Sequence, residues 1–373
     1  MAERHLHIVS FDVPWPPDYG GVIDVYYKAK ALSELGVRVH LHCFEYGRRP
    51  APELDRLCVS VDYYHRNSSK HLLFSGLPYV VVSRRNEELV ERLLQDDHPI
   101  VFEGLHSCYF LGDPRLQGRR RAVRAHNVEH DYYAALAKAE RSAFRKAYFI
   151  NEARKLERFE PVMSEADHII AISPKDQAYF QSRFGRAEHV PAFHACGRIE
   201  VPGGLGDFAL YHGALSVPEN DQAALFLVRE VFPGLSVRLI IAGSGASTEL
   251  RRAVEAAPNV ELREGIPTEE IHRLVREAQV NVLPTFQATG IKLKLLLCLF
   301  TGRHIVCNTA MVKDTGLEEV CMVHDDPETM RLSILACMSR PANGSTLEKR
   351  TRVLEERFNN RRNAEHLARI VLG

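Results

Sequence analysis

The chain has 373 residues, more than one hydrophobic core usually supports, so two domains of ordinary size are expected. Hydrophobic residues make up 45% and charged residues 26% of the sequence, which is typical of a globular enzyme and disfavours a disordered or fibrous chain. The 48 basic and 48 acidic side chains cancel, so no overall field attracts nucleic acid, and we expect no nucleic-acid partner.

No stretch of the sequence predicts secretion or a membrane span. Residues 1–11 mix His, Arg and Glu with apolar residues, unlike a signal peptide. No apolar run approaches the roughly 20 residues that span a bilayer. The eight cysteines are scattered and form no CxxC pair. We therefore expect a cytoplasmic protein with reduced cysteines and without a disulfide framework.

Apolar strands alternate with amphipathic helices in the first half of the chain. The predicted strands are residues 5–11, 37–44, 79–83, 100–103, 122–126 and 168–173. The predicted helices are residues 22–35, residues 86–94 and one or two helices within residues 130–166. Strands that alternate with helices form a parallel sheet with crossover helices. This half therefore predicts a Rossmann-like α/β domain over residues 1–192.

A glycine-rich segment without periodicity, residues 193–206, predicts the hinge between two domains. A second alternating series follows it. Its predicted strands are residues 208–215, 237–242, 260–262, 280–283, 304–307 and 320–323, and its predicted helices are residues 220–231, 248–256, 268–278, 290–300 and 328–338. This series predicts a second Rossmann-like domain over residues 207–345. The remaining residues, 346–373, predict helices that pack back toward the N-terminal domain.

Two strand-to-helix junctions are candidate phosphate-binding sites. At the first, Gly20 and Gly21 open a helix, where backbone N–H groups can approach an anion; the alternative is a tight turn that needs glycine for its own geometry. The second is a loop, residues 285–290, which leads to Lys292 and Lys294 at a helix start. Because a helix N-terminus already carries positive partial charge, an anionic ligand would explain these lysines. The alternative is that both extend into solvent along the helix flank.

Histidines follow the carboxyl ends of three predicted strands, where open α/β sheets bind ligands. They are His106, His126 with His130, and His212. A zinc site formed by His126, Glu129 and His130 is one alternative, although no HExxH motif supports it. For His212 the alternative is a buried core residue. The P-loop and GxSxG motifs are also absent, which excludes the P-loop class and argues against a nucleophile elbow.

Four segments together resemble the retaining GT-B glycosyltransferases of family four, and the resemblance covers nearly the whole chain. They are residues 17–21, 124–130, 211–220 and 289–294. The resemblance implies a GT-B fold, in which two Rossmann-like domains face each other across a cleft. It implies a nucleotide-diphosphate sugar donor bound mainly by the C-terminal domain and an acceptor bound mainly by the N-terminal domain. It also implies transfer with retention, without a metal, a cofactor or a covalent intermediate.

The resemblance assigns roles to residues of this sequence. His126 would lie beside the transferred sugar, with His106 and Glu129 nearby as further catalytic candidates. The donor phosphates would be bound by Gly20, Gly21, Gly213, Thr289, Gly290, Ile291, Lys292 and Lys294. The nucleotide base would be bordered by Arg263, Gly265 and Ile266.

The sequence departs from this family at the donor site. Family members commonly carry two glutamates that flank the phosphate loop, and the second holds the ribose. Here the first position is Gln287 or Ala288, and the second is Leu296 or Leu297. The cationic residue that usually follows the first strand of the C-terminal domain is also missing, because residues 214–221 contain no Lys or Arg. Either the donor is held differently, or its binding is weakened or lost.

The sequence therefore leaves alternative functions. The first is a hexosyltransferase-type glycosyltransferase that acts on a glycan, lipid or protein acceptor; basic segments such as residues 141–146 would allow peripheral contact with a membrane. The second is a catalytically silent GT-B subunit that binds or scaffolds a partner transferase. A nucleotide-sugar epimerase is a third, but it would need acid and base groups that the carboxylate-poor loop does not offer.

Overall fold

The computed structural model describes residues 3–140, 142–286 and 293–373. Its contacts divide the chain into two compact units. The N-terminal unit comprises the chain up to His194 together with Phe358–Gly373, and the C-terminal unit comprises Ala195–Arg357. No helix in the described ranges is long and apolar enough to cross a membrane.

A parallel sheet forms the centre of the N-terminal unit. Its strands are β1 (Arg4–Ser10), β2 (Val37–Glu45), β3 (Ser60–His65), β4 (Ile100–Glu103), β5 (Arg121–Ala125), β6 (His168–Ala171) and β7 (Glu188–His189). Their order in the sheet is β3-β2-β1-β4-β5-β6-β7. In the register, Ile8 of β1 lies opposite Leu41 of β2 and Val101 of β4, and all three are fully buried.

Helices cover both faces of this sheet. They are α1 (Gly20–Glu34), α2 (Pro52–Asp55), α3 (Tyr79–Val82), α4 (Glu87–Leu93), α5 (Glu129–Ala139), α6 (Ala143–Phe159) and α7 (Pro174–Phe184). Successive strand residues belong to different hydrophobic clusters, with Val9 and Phe102 in one and Ile8 and Val101 in the other. Because side chains alternate across a strand, the two clusters lie on opposite faces. The buried strands therefore read as nearly continuous apolar runs.

The structure differs from the sequence prediction at several places in this unit, among them β7 and α7, which were not predicted, and two of the differences have a physical explanation. Residues 79–83 were expected to form a strand, but Tyr79–Val82 is the short helix α3. The backbone N–H of Tyr79 donates a hydrogen bond of 2.6 Å to Glu152 Oε2, so a carboxylate from α6 satisfies the start of α3 and overrides the β propensity of its valines. The second difference is β3, which was not predicted because most of its residues are only half-buried and form no apolar run.

A second parallel sheet forms the centre of the C-terminal unit. Its strands are β8 (Phe208–His212), β9 (Arg238–Gly243), β10 (Val260–Glu264), β11 (Val280–Leu283), β12 (His304–Cys307) and β13 (Met322–Val323), in the order β10-β9-β8-β11-β12-β13. Its helices are α8 (Pro218–Phe226), α9 (Thr248–Glu255), α10 (Thr268–Glu277), α11 (Leu293–Thr301), α12 (Thr309–Val312), α13 (Pro327–Met338) and α14 (Ser345–Arg357). The predicted fold class, two Rossmann-like α/β units with parallel sheets, is confirmed.

The last helix, α15 (Asn360–Leu372), belongs to the N-terminal unit. Leu367 and Val371 of this helix are buried in the same hydrophobic cluster as Leu32 of α1. Asn360 Nδ2 donates a hydrogen bond of 2.8 Å to the carbonyl of His194, which ties the returning chain to the end of the first segment of the unit. The final segment therefore completes the core of a unit that the chain leaves at His194.

Candidate active site

A buried cluster of charged side chains lies at the carboxyl edge of the N-terminal sheet. Lys28 Nζ of α1 lies 3.1 Å from Asp24 Oδ2 and 2.6 Å from Glu103 Oε1, at the end of β4. Arg124 of β5 lies 2.9 Å from Asp24, and it also donates to the carbonyls of Val190 and Pro191. Although burial opposes ionisation of Asp24, Arg124 and Lys28 hold its pKa below the usual range. Two carboxylates and two cations balance each other.

His126, the predicted sugar-binding residue, is attached to this cluster. Its Nε2 atom lies 3.0 Å from Glu103 Oε2 and 3.9 Å from Asp24 Oδ2. A carboxylate accepts hydrogen bonds only, so Nε2 carries the proton, and in the neutral ring Nδ1 is the acceptor. The residue is 9% exposed. The cluster therefore fixes both the orientation and the tautomer of the imidazole ring.

The ring of Phe11, which follows β1, brings three of the predicted site residues together. Its centroid lies 5.7 Å from that of His106 and 5.5 Å from that of His126. A Cβ atom at Gly21 would come within 2.5 Å of the Phe11 ring, whereas a Cβ atom at Gly20 would meet nothing within 4 Å. Packing against Phe11 thus accounts for Gly21. Gly20 instead faces open space at the start of α1, where no side chain caps the helix.

His106 and Glu129 lie beside each other, with His106 Nε2 3.7 Å from Glu129 Oε2. Burial, together with the nearby cation Arg84, lowers the pKa of His106 well below its ordinary value. Burial raises the pKa of Glu129 to about 8, so its carboxyl group is largely protonated at neutral pH. Among the described residues, neither His106 Nδ1 nor Glu129 Oε1 has a hydrogen-bond partner. The pair therefore combines a neutral imidazole with a proton-bearing carboxyl group.

The zinc site considered from the sequence does not form, because its three side chains have different partners. His130 Nδ1 lies 3.1 Å from Glu160, whereas Glu129 faces His106 and His126 faces Glu103. Two other groups in the described chain place three donor atoms within 4.8 Å of one another: Asp24 with Glu103 and His126, and His5 with His40 and His98. In the first of these, Lys28 and Arg124 already neutralise the carboxylates.

In the C-terminal unit, adjacent strands end in glycines at the carboxyl edge of the sheet. The backbone N–H of Gly213, after β8, donates to Ala242 of β9 at 3.0 Å. A Cβ atom at Gly243 would collide with the carbonyl oxygen of Gly213, so the two strand ends approach as closely as they do because Gly243 lacks a side chain. Gly265, after β10, has a φ of 67° and its N–H donates to Gly243 at 3.3 Å.

Lys294, in the first turn of α11, points toward this glycine edge. Its Nζ atom lies 2.9 Å from Asn220 Oδ1, 3.4 Å from the Tyr211 hydroxyl and 4.9 Å from the centre of the Tyr211 ring. A Cβ atom at Gly213 would come within 3.1 Å of the Asn220 side chain. Lys294 therefore lies over the carboxyl end of β8 and does not extend into solvent along the helix flank. The other predicted residues of this loop, Thr289, Gly290, Ile291 and Lys292, lie outside the described residues.

Arg263, Ile266 and His212 are the remaining predicted residues of this unit that lie within the described chain. Arg263 Nε donates to Glu261 at 2.6 Å, and Ile266, the next residue after Gly265, is half-buried. His212 is buried with its Nε2 3.4 Å from Cys298 Sγ. Burial, with the nearby Lys294, lowers the pKa of His212 to about 3, so this histidine is a neutral core residue.

Comparison with known proteins identifies the fold. No protein-family model matches the chain. Anabaena HepE in complex with UDP and glucose matches with a TM-score of 0.66 at 12% identity over 98% of each chain. An α,α-trehalose-phosphate synthase from Burkholderia xenovorans matches with a TM-score of 0.61 at 12% identity over 99% of this chain and 100% of that one. The chain has the GT-B fold.

Two further comparisons differ in what they add. A UDP-glucosyltransferase from Polygonum tinctorium matches with a TM-score of 0.55 at 13% identity over 99% of this chain and 98% of that one. In sequence, an uncharacterised 44.6 kDa protein in the cps region of Klebsiella pneumoniae is 26% identical over 348 residues, which cover 86% of this chain and 87% of that protein. Nucleotide-sugar glycosyltransferases are thus among the structural neighbours of this GT-B chain.

Sequence reasoning missed several residues of the two candidate sites, one in each unit. Lys28 and Asp24 form an i,i+4 charged pair that is buried in α1. The signal that could have revealed this pair is an acidic and a basic residue four positions apart in a helix, with valines and leucines at neighbouring buried positions. Glu103 had a weaker signal, as the only charge in an otherwise apolar strand. Asn220 had none, since its contact with Lys294 joins distant parts of the chain.

Proposed function

We propose that this protein is a glycosyltransferase of the hexosyltransferase type, which moves a sugar from a nucleotide-diphosphate sugar to a hydroxyl group of an acceptor. The observation that carries the proposal is the position of Lys294, whose ammonium group lies against Asn220 at the carboxyl edge of the C-terminal sheet. A cation at this edge, beside strand ends that approach closely through Gly213 and Gly243, suits the diphosphate of a leaving nucleotide.

The donor chemistry proposed for this site is glycosyl transfer with retention of configuration. In the proposed reaction the bond between the sugar C1 and the phosphate oxygen breaks, and C1 forms a bond to the acceptor oxygen on the same face. The proton of the acceptor hydroxyl passes to the leaving diphosphate, so the products are a glycoside of retained configuration and a nucleoside diphosphate. Lys294, with Lys292 and the N–H groups at the start of the helix, would neutralise the leaving group, so that no metal is needed. Gly265 and Ile266 are proposed to border the base.

His126 is the residue that we assign to the transferred sugar. Because Glu103 holds the proton on Nε2, Nδ1 remains as the acceptor for a sugar hydroxyl group. The protonated carboxyl group of Glu129 is a hydrogen-bond donor beside His106, which suits it to orient a second sugar or acceptor hydroxyl. Both assignments are positioning roles, since the proposed proton transfer goes to phosphate.

One observation favours the silent-subunit alternative. Family members hold the ribose with a glutamate in the helix that follows the phosphate loop, and the corresponding positions here are Leu296, which is fully buried, and Leu297, which is half-buried. Neither offers a carboxylate. Since the structural neighbours include a complex with UDP, UDP is the first nucleotide that should be tested.

The test measures binding and turnover separately. Melting temperatures are recorded with UDP, GDP and ADP and with their sugars, and nucleotide release is followed in the presence of an acceptor panel. A nucleotide at a hundredfold excess over its dissociation constant should stabilise the protein by about 2.7 kcal/mol, with or without EDTA. Nucleotide binding without turnover on any acceptor would favour the silent subunit. No stabilisation by any nucleotide or nucleotide sugar would refute a donor site of this kind.

A further inference from the structure

Two buried arginines at the carboxyl edge of the N-terminal sheet have been assigned no contact with donor or acceptor so far. Arg66 directly follows β3 and is 7% exposed, and Arg84 lies in the turn that follows α3 and is 5% exposed. They are connected through Ser83, whose hydroxyl accepts a hydrogen bond of 2.9 Å from Arg66 Nε. A buried cation is costly unless it is paired or fully hydrogen-bonded.

Neither arginine has a carboxylate partner among the described residues. Among the described residues, no carboxylate lies within 4.0 Å of Arg66 or Arg84, whereas the buried Arg124 contacts Asp24. Asp12 acts on Arg84 only from a greater distance, and its own carboxylate accepts hydrogen bonds from the Tyr19 hydroxyl and from the N–H of Val13. The two positive charges are therefore not neutralised by a contacting residue of the described chain.

The hydrogen bonds of Arg66 are also incomplete. A guanidinium group has five N–H donors, and Arg303, another buried arginine without a carboxylate, donates to five carbonyl groups. Arg66 instead donates to Ser83 alone among the described residues. Its two terminal nitrogens make no hydrogen bond to the described residues, yet they are not fully buried, so they reach accessible space. They are thus available to an external acceptor.

Aromatic rings hold Arg66 in place without consuming those donors. Its guanidinium carbon lies 4.1 Å from the centre of the Tyr46 ring and 5.7 Å from that of Tyr79. Stacking on aromatic faces restricts a guanidinium group and leaves its in-plane N–H groups free to bind an anion. Because the Arg66 side chain is already held in place, it loses less conformational entropy when a ligand binds.

Arg84 connects Arg66 to the residues that we propose to bind the sugar. Its Nε donates a hydrogen bond of 2.8 Å to the carbonyl of Phe11, whose ring lies between His106 and His126. Burial and the proximity of Arg66 lower the pKa of Arg84 to about 9, which indicates that the two cations repel each other. An anion bound between them would remove this repulsion.

We propose that Arg66 and Arg84 form a subsite for a phosphate or diphosphate group carried by the acceptor, an inference that rests on the proposed glycosyltransferase function. The charge decides the class of ligand, because a phosphate dianion neutralises both arginines whereas a neutral sugar neutralises neither. Such a group occurs on soluble sugar phosphates and on lipid-linked sugar diphosphates. Both share the same recognition chemistry.

The experiment measures anion binding directly, with inorganic pyrophosphate as the probe and with UDP at saturation to fill any donor site. Wild-type protein should bind pyrophosphate under these conditions. Arg66→Gln should weaken this binding by about tenfold to a hundredfold, since a charge-assisted contact contributes roughly 1.5 to 3 kcal/mol. Arg66→Gln is preferred to an Arg84 variant because Arg84 also supports the backbone at Phe11 and Val80.

Arg48→Gln is the matched control. Arg48 lies near the same edge, above the Tyr19 ring, but it is paired with Asp18 and lies 3.9 Å from Asp12, so its removal should leave pyrophosphate binding unchanged. The proposal is overturned if wild type binds no pyrophosphate beside UDP, if both variants bind it equally, or if Arg66→Gln weakens UDP as much as pyrophosphate. The last result would assign the arginines to the donor.

Acceptor assays then separate the two sources. Glucose 6-phosphate and a prenyl-diphosphate-linked sugar are compared with methyl glucoside, and a preference for either charged acceptor that Arg66→Gln removes would support the subsite and name its source. Failure of the subsite and failure of the proposed function are distinguishable. Pyrophosphate binding through Arg66 without any glycosyl transfer would refute the function alone. The subsite alone would be refuted if the protein transfers sugar to methyl glucoside but not to the charged acceptors, and if Arg66→Gln leaves that transfer unchanged.

Discussion

Replacing Lys28 by Met tests whether the buried charge cluster stabilises the N-terminal unit and holds His126. The Lys28 side chain is completely buried and contacts Asp24 and Glu103, both of them also buried. Removing one partner of a buried ion pair costs about 3 to 5 kcal/mol, because the remaining charges lose their compensation. For a unit of this size each kcal/mol lowers the melting temperature by about 2 to 4 °C, so a decrease of roughly 6 to 20 °C is expected.

Lys30→Met is the matched control for this prediction. Lys30 lies in the same helix and is exposed, so the same substitution there should change the melting temperature by no more than a degree or two. A second variant that combines Lys28→Met with Glu103→Gln removes one charge of each sign and should recover part of the lost stability. Thermal unfolding followed by circular dichroism measures all three. Equal melting temperatures for Lys28→Met and Lys30→Met would refute the reasoning.

Three further predictions concern the site and the pH dependence of stability. Lys294→Gln should weaken nucleoside diphosphate binding about tenfold to a hundredfold in calorimetry, while the ligand-free protein keeps its stability because a cation is removed from a helix N-terminus; unchanged affinity would contradict the donor assignment. His126→Ala should depress turnover and leave nucleoside diphosphate affinity nearly unchanged, and a collapse of affinity with normal turnover of bound donor would reverse the roles of the two units. Burial lowers the pKa of His7 to about 4 from an ordinary value of 6.5, so its neutral form contributes stability above pH 6.5 that is lost as the pH falls toward 4. Urea unfolding at the two pH values should show a loss of about 3 kcal/mol that is reduced in His7→Gln, and an equal loss in both proteins would exclude His7 as its source.

Much of the fold could be predicted because buried parallel strands leave a clear pattern in the sequence. Residues 280–283 and 304–307 were predicted with the bounds that β11 and β12 have, since each is a short run in which three of the four residues are apolar. The half-buried strand β3 has no such run and was missed. Residues 79–83 were assigned wrongly because the carboxylate that starts their helix comes from Glu152, far along the chain.

Residues of the candidate site could be predicted only where their own place in the sequence, directly after a predicted strand, is the signal. His126 and Gly213 follow strand ends, and their place in a parallel sheet follows from that alone. The cluster around Lys28 depends on side chains from α1, β4 and β5 meeting in one place, which no local pattern encodes. The position of Lys294 over Tyr211 is likewise a tertiary contact, and it shows that this side chain does not extend into solvent along the helix flank.

The return of α15 to the N-terminal unit sets an order of folding during synthesis. The surface of α1 around Leu32 is covered by Leu367 and Val371, which leave the ribosome only after the whole of Ala195–Arg357 has been made. At about 5 to 20 residues per second, that segment takes on the order of ten seconds or more to synthesise. At the end of this interval the second-made unit has all of its residues, whereas the first-made unit still lacks the helix that covers its apolar face. The unit that begins the chain is therefore the last to be finished, and its apolar surface around Leu32 stays uncovered until the final helix arrives.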